Sequence, residues 1–304
     1  MTAFTDDAGR LWPGWAFLLS AVLSCGIFFV SGFTAASLAG DHPLRFELLF
    51  RTLLAGLLLV LFSWLLTVGN HVESHRLAAQ GLPLISGSLK QAATGCMLGA
   101  LLVITAVVPI AISGSLALRF TFNRHALPRI GLVLFVLLVG SLAEELMFRG
   151  YPFQRLVEAI GPVRAIAVFS VLFALLHWWN PGASVWGLIN TVLIGIVLAI
   201  AYLRSRALWM PWGLHFAWNT TMGLVLGLPV SGIRIFNVAI HATASGPKWL
   251  TGGSYGIEAS ALGTLVVLLG LALILWVPLD SEAPPTESLP EDDPSPPDVS
   301  DSSN

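Results

Sequence analysis

The sequence predicts an all-α, polytopic membrane helix bundle with about eight transmembrane helices. Hydrophobic residues make up 56 % of its 304 positions and charged residues only 11 %, against about a quarter charged in a soluble domain. Mean hydropathy is +0.81. The apolar residues also gather into runs close to the roughly 20 residues that one bilayer crossing requires, with Gly, Pro and most charges between the runs.

The first run covers 15–38 and is closed by Asp41, His42 and Pro43. The second covers 46–68 and carries Arg51 near its start, where a long side chain is expected to snorkel to the interface. Residues 70–90 are polar and marked by Gly and Pro, which predicts a loop or a short interfacial helix. The third run, 92–116, contains Pro109, an expected kink. Arg119, Arg124, His125 and Arg129 form a charged connector to the fourth run, which spans 130 to about 151. A short amphipathic piece leads to Gly161-Pro162, and further spans are expected at 163–179, 185–202, 208–228 and 260–277. The last two are separated by a Gly-rich loop of low charge, 229–257.

The ends read differently from the body. The N-terminus, MTAFTDDAGR, lacks a basic n-region, so the first apolar segment is expected to be retained. Residues 280–304 hold eight acidic residues and six prolines with no Lys or Arg, a composition expected to be disordered. No basic stripe occurs anywhere, which argues against a nucleic-acid partner. Cys25 and Cys96 each lie inside an apolar run and are expected to pack as small apolar side chains.

Chemistry concentrates at the end of the fourth run, GSLAEELMFRGYPFQR from Gly140. A charge at membrane depth costs about 2.5–3.5 kcal/mol, so Glu144, Glu145 and Arg149 are expected to face protein and act there. Helical spacing puts Glu145 within roughly 40° of Arg149, close enough to pair, and turns Glu144 about 100° away from Glu145 toward other partners. A lone Glu–Arg pair can be structural glue, but one arginine neutralises only one of two carboxylates. Pro152 cannot donate to the carbonyl of Phe148, so the helix should kink or end just past the charges.

Two further runs carry polar residues at helical spacing. Phe173 and His177 are i, i+4 in FALLHWWNP, and His215 and Asn219 are i, i+4 in WGLHFAWNT. A carboxylate and histidines suit general-base attack by water on a carbonyl. A histidine and an amide can donate to the developing oxyanion. Glu144, His177 and His215 could instead bind Zn²⁺, although the H-E-x-x-H signature is missing. Trp178, Trp179, Trp209 and Trp212 are placed either for an interfacial rim around such a site or for an ordinary aromatic belt.

The ordered set E-E-x-x-x-R-G, F-x-x-x-H and H-x-x-x-N on separate spans resembles the CPBP (Abi) family, which includes type II CAAX prenyl endopeptidases. The resemblance implies an intramembrane endopeptidase in which Glu144 and His177 activate water, His215 and Asn219 stabilise the oxyanion, and Glu145, Arg149 and Phe173 support them. It also implies a membrane-tethered protein or peptide as substrate, a lipid bilayer as surroundings (the plasma membrane if the source is bacterial), and Zn²⁺ as an optional cofactor. The expected organisation is then N-terminal helices at 1–129, a catalytic core at 130–228, a loop and last helix at 229–279, and the tail at 280–304. A non-catalytic immunity, scaffold or transport protein is the alternative, with its charges serving as helix glue or a permeation path.

Overall fold

The computed structural model describes residues 4–5, 11–68, 76–121, 124–236, 238 and 240–276; the acidic tail lies outside the described residues. The chain folds as an all-α bundle. Its main helices among the described residues are α1 (Pro13–Ala39), α2 (Pro43–Val68), α3 (Ser88–Ile112), α4 (Leu127–Arg149), α5 (Tyr151–Ile160), α6 (Pro162–Leu176), α7 (Val185–Ser205), α8 (Trp209–Thr220) and α9 (Ala261–Trp276). Among the described residues six segments are long and apolar enough to cross a membrane, Pro13–Ala39, Pro43–Thr67, Ser88–Ile112, Arg124–Ile160, Pro162–Trp179 and Val185–Ser205. The chain is therefore a multi-pass membrane protein. The seventh and eighth expected spans are shorter: α8 has 12 residues before a π-helical turn, Thr221–Val225, and α9 has 16.

Proline punctuates the bundle where the sequence predicts breaks. Five helices, α1, α2, α4, α5 and α6, carry Pro in their first two positions, where the missing N–H has no intrahelical partner to lose. α4 ends at Arg149 and α5 begins at Tyr151, so the chain breaks at Gly150 beside Pro152 as expected. The break does not end the span, however. Arg124–Ile160 forms one apolar stretch of 37 residues, and the fourth crossing ends at Ile160 rather than near Tyr151. Gly161, at φ 84°, then makes the turn into α6, a backbone conformation that L side chains rarely adopt.

That correction sets the depth of the site. α6 returns antiparallel along the α4–α5 course, as the ring pairs Phe153–Phe169 (5.4 Å) and Phe148–Phe173 (5.1 Å) register. Glu144 lies four residues before Phe148, and His177 four after Phe173. On antiparallel helices both steps move about 6 Å in the same direction, so Glu144 and His177 arrive at one level.

α8 is held against α3 by absent side chains. A Cβ on Gly95 would meet the Leu214 amide nitrogen at 2.8 Å, one on Gly99 would meet the Trp218 amide nitrogen at 3.1 Å, and one on Gly213 would meet the Ala92 carbonyl carbon at 3.1 Å. Small residues at i, i+4 let membrane helix backbones approach this closely. Two apolar clusters flank the site. One is built on α3, α4, α7, α8 and α9, including Val103, Val136, Leu198, Leu214 and Val267. The other is built on α2, α4, α5, α6 and α7, including Leu58, Leu146, Phe153, Phe169 and Tyr202.

One element was not expected. Leu116–Phe120 (β1) and Ile240–Ala244 (β2) form a two-stranded antiparallel sheet with Leu118 opposite Ala242. It joins the Arg119 connector to the segment predicted as a plain loop. Five-residue strands give too few alternations to stand out from a loop in the sequence.

Candidate active site

Glu144, His177, His215 and Asn219 line one cavity of about 230 Å³, together with Phe173, Arg51, Trp218, Ser231 and Glu258. The residues come from α2, α4, α6 and the segment just after it, α8, and the connector before α9. Two of the four, His215 and Asn219, are 7 % exposed, and the Glu144 side chain is 26 % exposed within the cavity.

The two adjacent glutamates divide as their 100° separation requires. Glu145 is fully buried, and its Oε1 accepts from Arg149 Nη1 at 3.2 Å and from His215 Nδ1 at 2.7 Å. Arg149 also donates from Nη2 to the Gly195 carbonyl of α7 at 3.2 Å. Its guanidinium lies 4.8 Å from the centre of the Phe173 ring, within cation–π range. Phe173 is thus an aromatic hub, packed edge-on to Phe148 and His215 and tilted against His177 with ring centres 4.7 Å apart.

Glu144 points elsewhere. Its Oε2 lies 3.6 Å from His215 Nε2, and its Oε1 is 3.4 Å from Arg51 Nη1 on α2. His177 Nδ1 lies 2.7 Å from the Phe173 carbonyl oxygen. A carbonyl can only accept, so Nδ1 carries the proton and Nε2 is left as the basic nitrogen. His215 uses Nδ1–H toward Glu145, so when doubly protonated it offers Nε2–H on the Glu144 side. Asn219 follows one turn later on α8.

The Zn²⁺ expectation rests on Glu144, His177 and His215. Glu144 and His215 approach each other, but among the described residues no three His, Cys, Asp or Glu side chains group as a metal ligand set. The Arg51 guanidinium beside Glu144 also competes with a dication there.

Several lining residues escaped sequence reasoning. Arg51 was expected to snorkel outward; instead it turns inward, its Nε bonded to Glu47 at 2.6 Å. The signal was present, because Glu47 and Arg51 share the i, i+4 spacing of Glu145 and Arg149. Glu258, in the connector before α9, is 5 % exposed and accepts from Trp218 Nε1 (3.1 Å), Ser231 N (2.6 Å) and Ser231 Oγ (3.0 Å). Burial pushes its carboxyl up from the ordinary value, and the Ser231 donors oppose that. No periodic pattern in a Gly-rich connector marks such a residue. Trp178, Trp179, Trp209 and Trp212 are not among the cavity-lining residues. Trp209 and Trp212 tie α8 down by donating to the Pro83 and Leu138 carbonyls at 2.7 and 3.0 Å.

Residues 126–221 match the family model described as "Type II CAAX prenyl endopeptidase Rce1-like". The match covers about a third of the chain, contains all three motifs, and agrees with the resemblance they carry. No curated protein and no solved structure gives a significant match to the chain.

Proposed function

We propose that the protein is an intramembrane endopeptidase that hydrolyses a peptide bond in a membrane-tethered protein or peptide, using water activated by Glu144 and His177. The observation that carries this reading is the meeting of Glu144, His177, His215 and Asn219, from three separate parts of the chain, around one partly enclosed cavity. A structural charge cluster needs no such opening.

In this mechanism Glu144 takes a proton from water as the water oxygen attacks the scissile carbonyl carbon. His177 Nε2 accepts a hydrogen bond from the same water and fixes its direction. The carbonyl oxygen becomes an oxyanion that receives hydrogen bonds from His215 Nε2–H and the Asn219 side-chain amide, each donor worth on the order of 2.7–4 kcal/mol in soluble proteases. The proton then passes from Glu144 to the amine nitrogen, the C–N bond breaks, and a carboxylic acid and an amine leave, the acid keeping the second proton of the water until it ionises. Glu145, bridging Arg149 and His215, keeps the His215 ring in place without touching the substrate.

The test uses the full chain in lipid nanodiscs and a quenched fluorescent peptide bearing a farnesylated cysteine near a free C-terminus, the substrate type of the matched family. Cleavage by wild type and none by Glu144→Gln is the expected result. Equal cleavage by both, or none by either across a panel of lipidated and transmembrane peptides, contradicts the reading.

A further inference from the structure

We infer that Arg51, carried by α2 outside the stretch that resembles the peptidase family, is a positioning residue for Glu144. This rests on the endopeptidase reading and adds to it a residue from the N-terminal helices.

Three observations carry it. The Arg51 side chain is 12 % exposed and points at the cavity rather than away from it. Both of its ends are held: Nε by Glu47 Oε2 at 2.6 Å, one turn earlier on α2, and Nη1 by Glu144 Oε1 at 3.4 Å. The path between them exists because residue 140 is glycine. A Cβ on Gly140 would lie 2.6 Å from Arg51 Cδ and 2.8 Å from Arg51 Cζ. Gly140 is one helical turn before Glu144 on α4, so the guanidinium crosses α4 through a notch on the face that carries the reacting carboxylate.

Arg51 anchors one carboxylate oxygen of Glu144 and leaves the other, Oε2, on the His215 side. A flexible carboxylate held at one oxygen loses the rotations that would turn it away from the water, which is a contribution to orientation. Substrate binding is a poorer account of this arginine, since two of its nitrogens are already taken by protein carboxylates. The Phe236 ring, 5.8 Å from the guanidinium carbon, covers it from the connector side.

Kinetics on the same farnesylated quenched peptide, in nanodiscs with the full chain, provide the test. Arg51→Gln should lower kcat by about 100-fold, the scale of a misplaced catalytic group, with KM unchanged within about twofold. Arg51→Lys keeps the charge without the fork and should recover to within about tenfold of wild type. Gly140→Ala removes no charge, yet should lower kcat by displacing the guanidinium. In an Arg51→Ala background Gly140→Ala should cost nothing further, the non-additivity expected of two changes acting through one contact. Wild-type kcat in Arg51→Gln or in Gly140→Ala, equal losses in the Gln and Lys variants, or independent losses in the double variant would each overturn the assignment. Glu144→Gln is run in parallel. If it is inactive while Arg51→Gln turns over at the wild-type rate, Arg51 alone is misassigned. If wild type is inactive, both proposals fall.

Discussion

Glu144 and Glu145 are identical side chains one peptide unit apart, and α4 delivers them to opposite environments. Behind α4 lies a sealed polar network: Glu145 and Arg149 are 0 % and 1 % exposed and are closed off by His215, the Gly195 carbonyl and the Phe173 ring. In front of α4 lies the cavity, where the Glu144 side chain is 26 % exposed between His215 and Arg51. His215 belongs to both regions, giving Nδ1 to Glu145 and Nε2 to the Glu144 side. The difference teaches that one helix can give a carboxylate to a sealed network and the next carboxylate to a cavity, one residue apart. The buried carboxylate is spent on internal partners, while the exposed one keeps room for water and substrate.

The largest expected effect breaks the front half. Glu144→Gln should reduce turnover by roughly 10²–10⁴-fold, the usual worth of a general base, while its unfolding temperature in detergent stays near wild type. Glu145→Gln should do the reverse in emphasis. It strands Arg149 and destabilises the fold by about 3–5 kcal/mol, the cost of breaking a buried pair. Thermal unfolding of both variants beside their turnover checks the contrast. Two variants equally stable, or equally inactive with equal melting, would erase the distinction between the two sides of α4.

That distinction was legible in the sequence because it rests on arithmetic. Residues 144, 145 and 149 on one helix have fixed relative angles, and a proline at 152 fixes the break at Gly150. What the sequence could not fix was direction in space. Arg51 near the start of a span can reach water or protein; its i, i+4 spacing from Glu47 marks a pair, but which way that pair faces depends on the inward face of α2. The fourth crossing was placed too short because a kink reads like an end, yet α5 continues the course and lets His177 return to the level of Glu144. Glu258 left no trace, since a buried carboxylate in an irregular connector has no periodicity to betray it. The α3–α8 contact was half visible: Gly95 and Gly99 stand four apart, but only the structure pairs them with Gly213.

A smaller effect probes how α8 presents His215 and Asn219. Gly99→Val places a branched side chain against the α8 backbone near Trp218. It should cost about 1–3 kcal/mol as an overpacked contact and lower turnover by shifting both donors together. Trp218→Phe removes the indole donor to Glu258. Loss of one hydrogen bond to a buried carboxylate should cost about 1.5–3 kcal/mol. Both variants should therefore unfold at temperatures above that of Glu145→Gln and below that of wild type; a Gly99→Val protein as stable and active as wild type would mean α8 is positioned by something other than its approach to α3.

The smallest perturbation addresses the same two regions by water rather than by energy. Leu146 and Met147 are neighbours on α4, as Glu144 and Glu145 are. Leu146 is 0 % exposed inside the second apolar cluster, whereas Met147 lines the cavity. Both side chains are apolar and unbranched at Cβ, so a cysteine at either site removes volume and adds no charge. Cys25 is exposed and Cys96 half-buried, so both are first replaced by serine or alanine to give a silent background. In nanodiscs, a membrane-impermeant maleimide should label a cysteine at 147 and leave one at 146 unmodified until the protein is denatured. Labelling at 147 should also fall when the farnesylated peptide is present in excess, because that peptide must occupy the cavity to be cut. Equal labelling of the two positions would mean that α4 does not divide a wet side from a dry one. Labelling at neither would mean that water does not reach the level of Glu144, and the hydrolytic reading would lose its nucleophile.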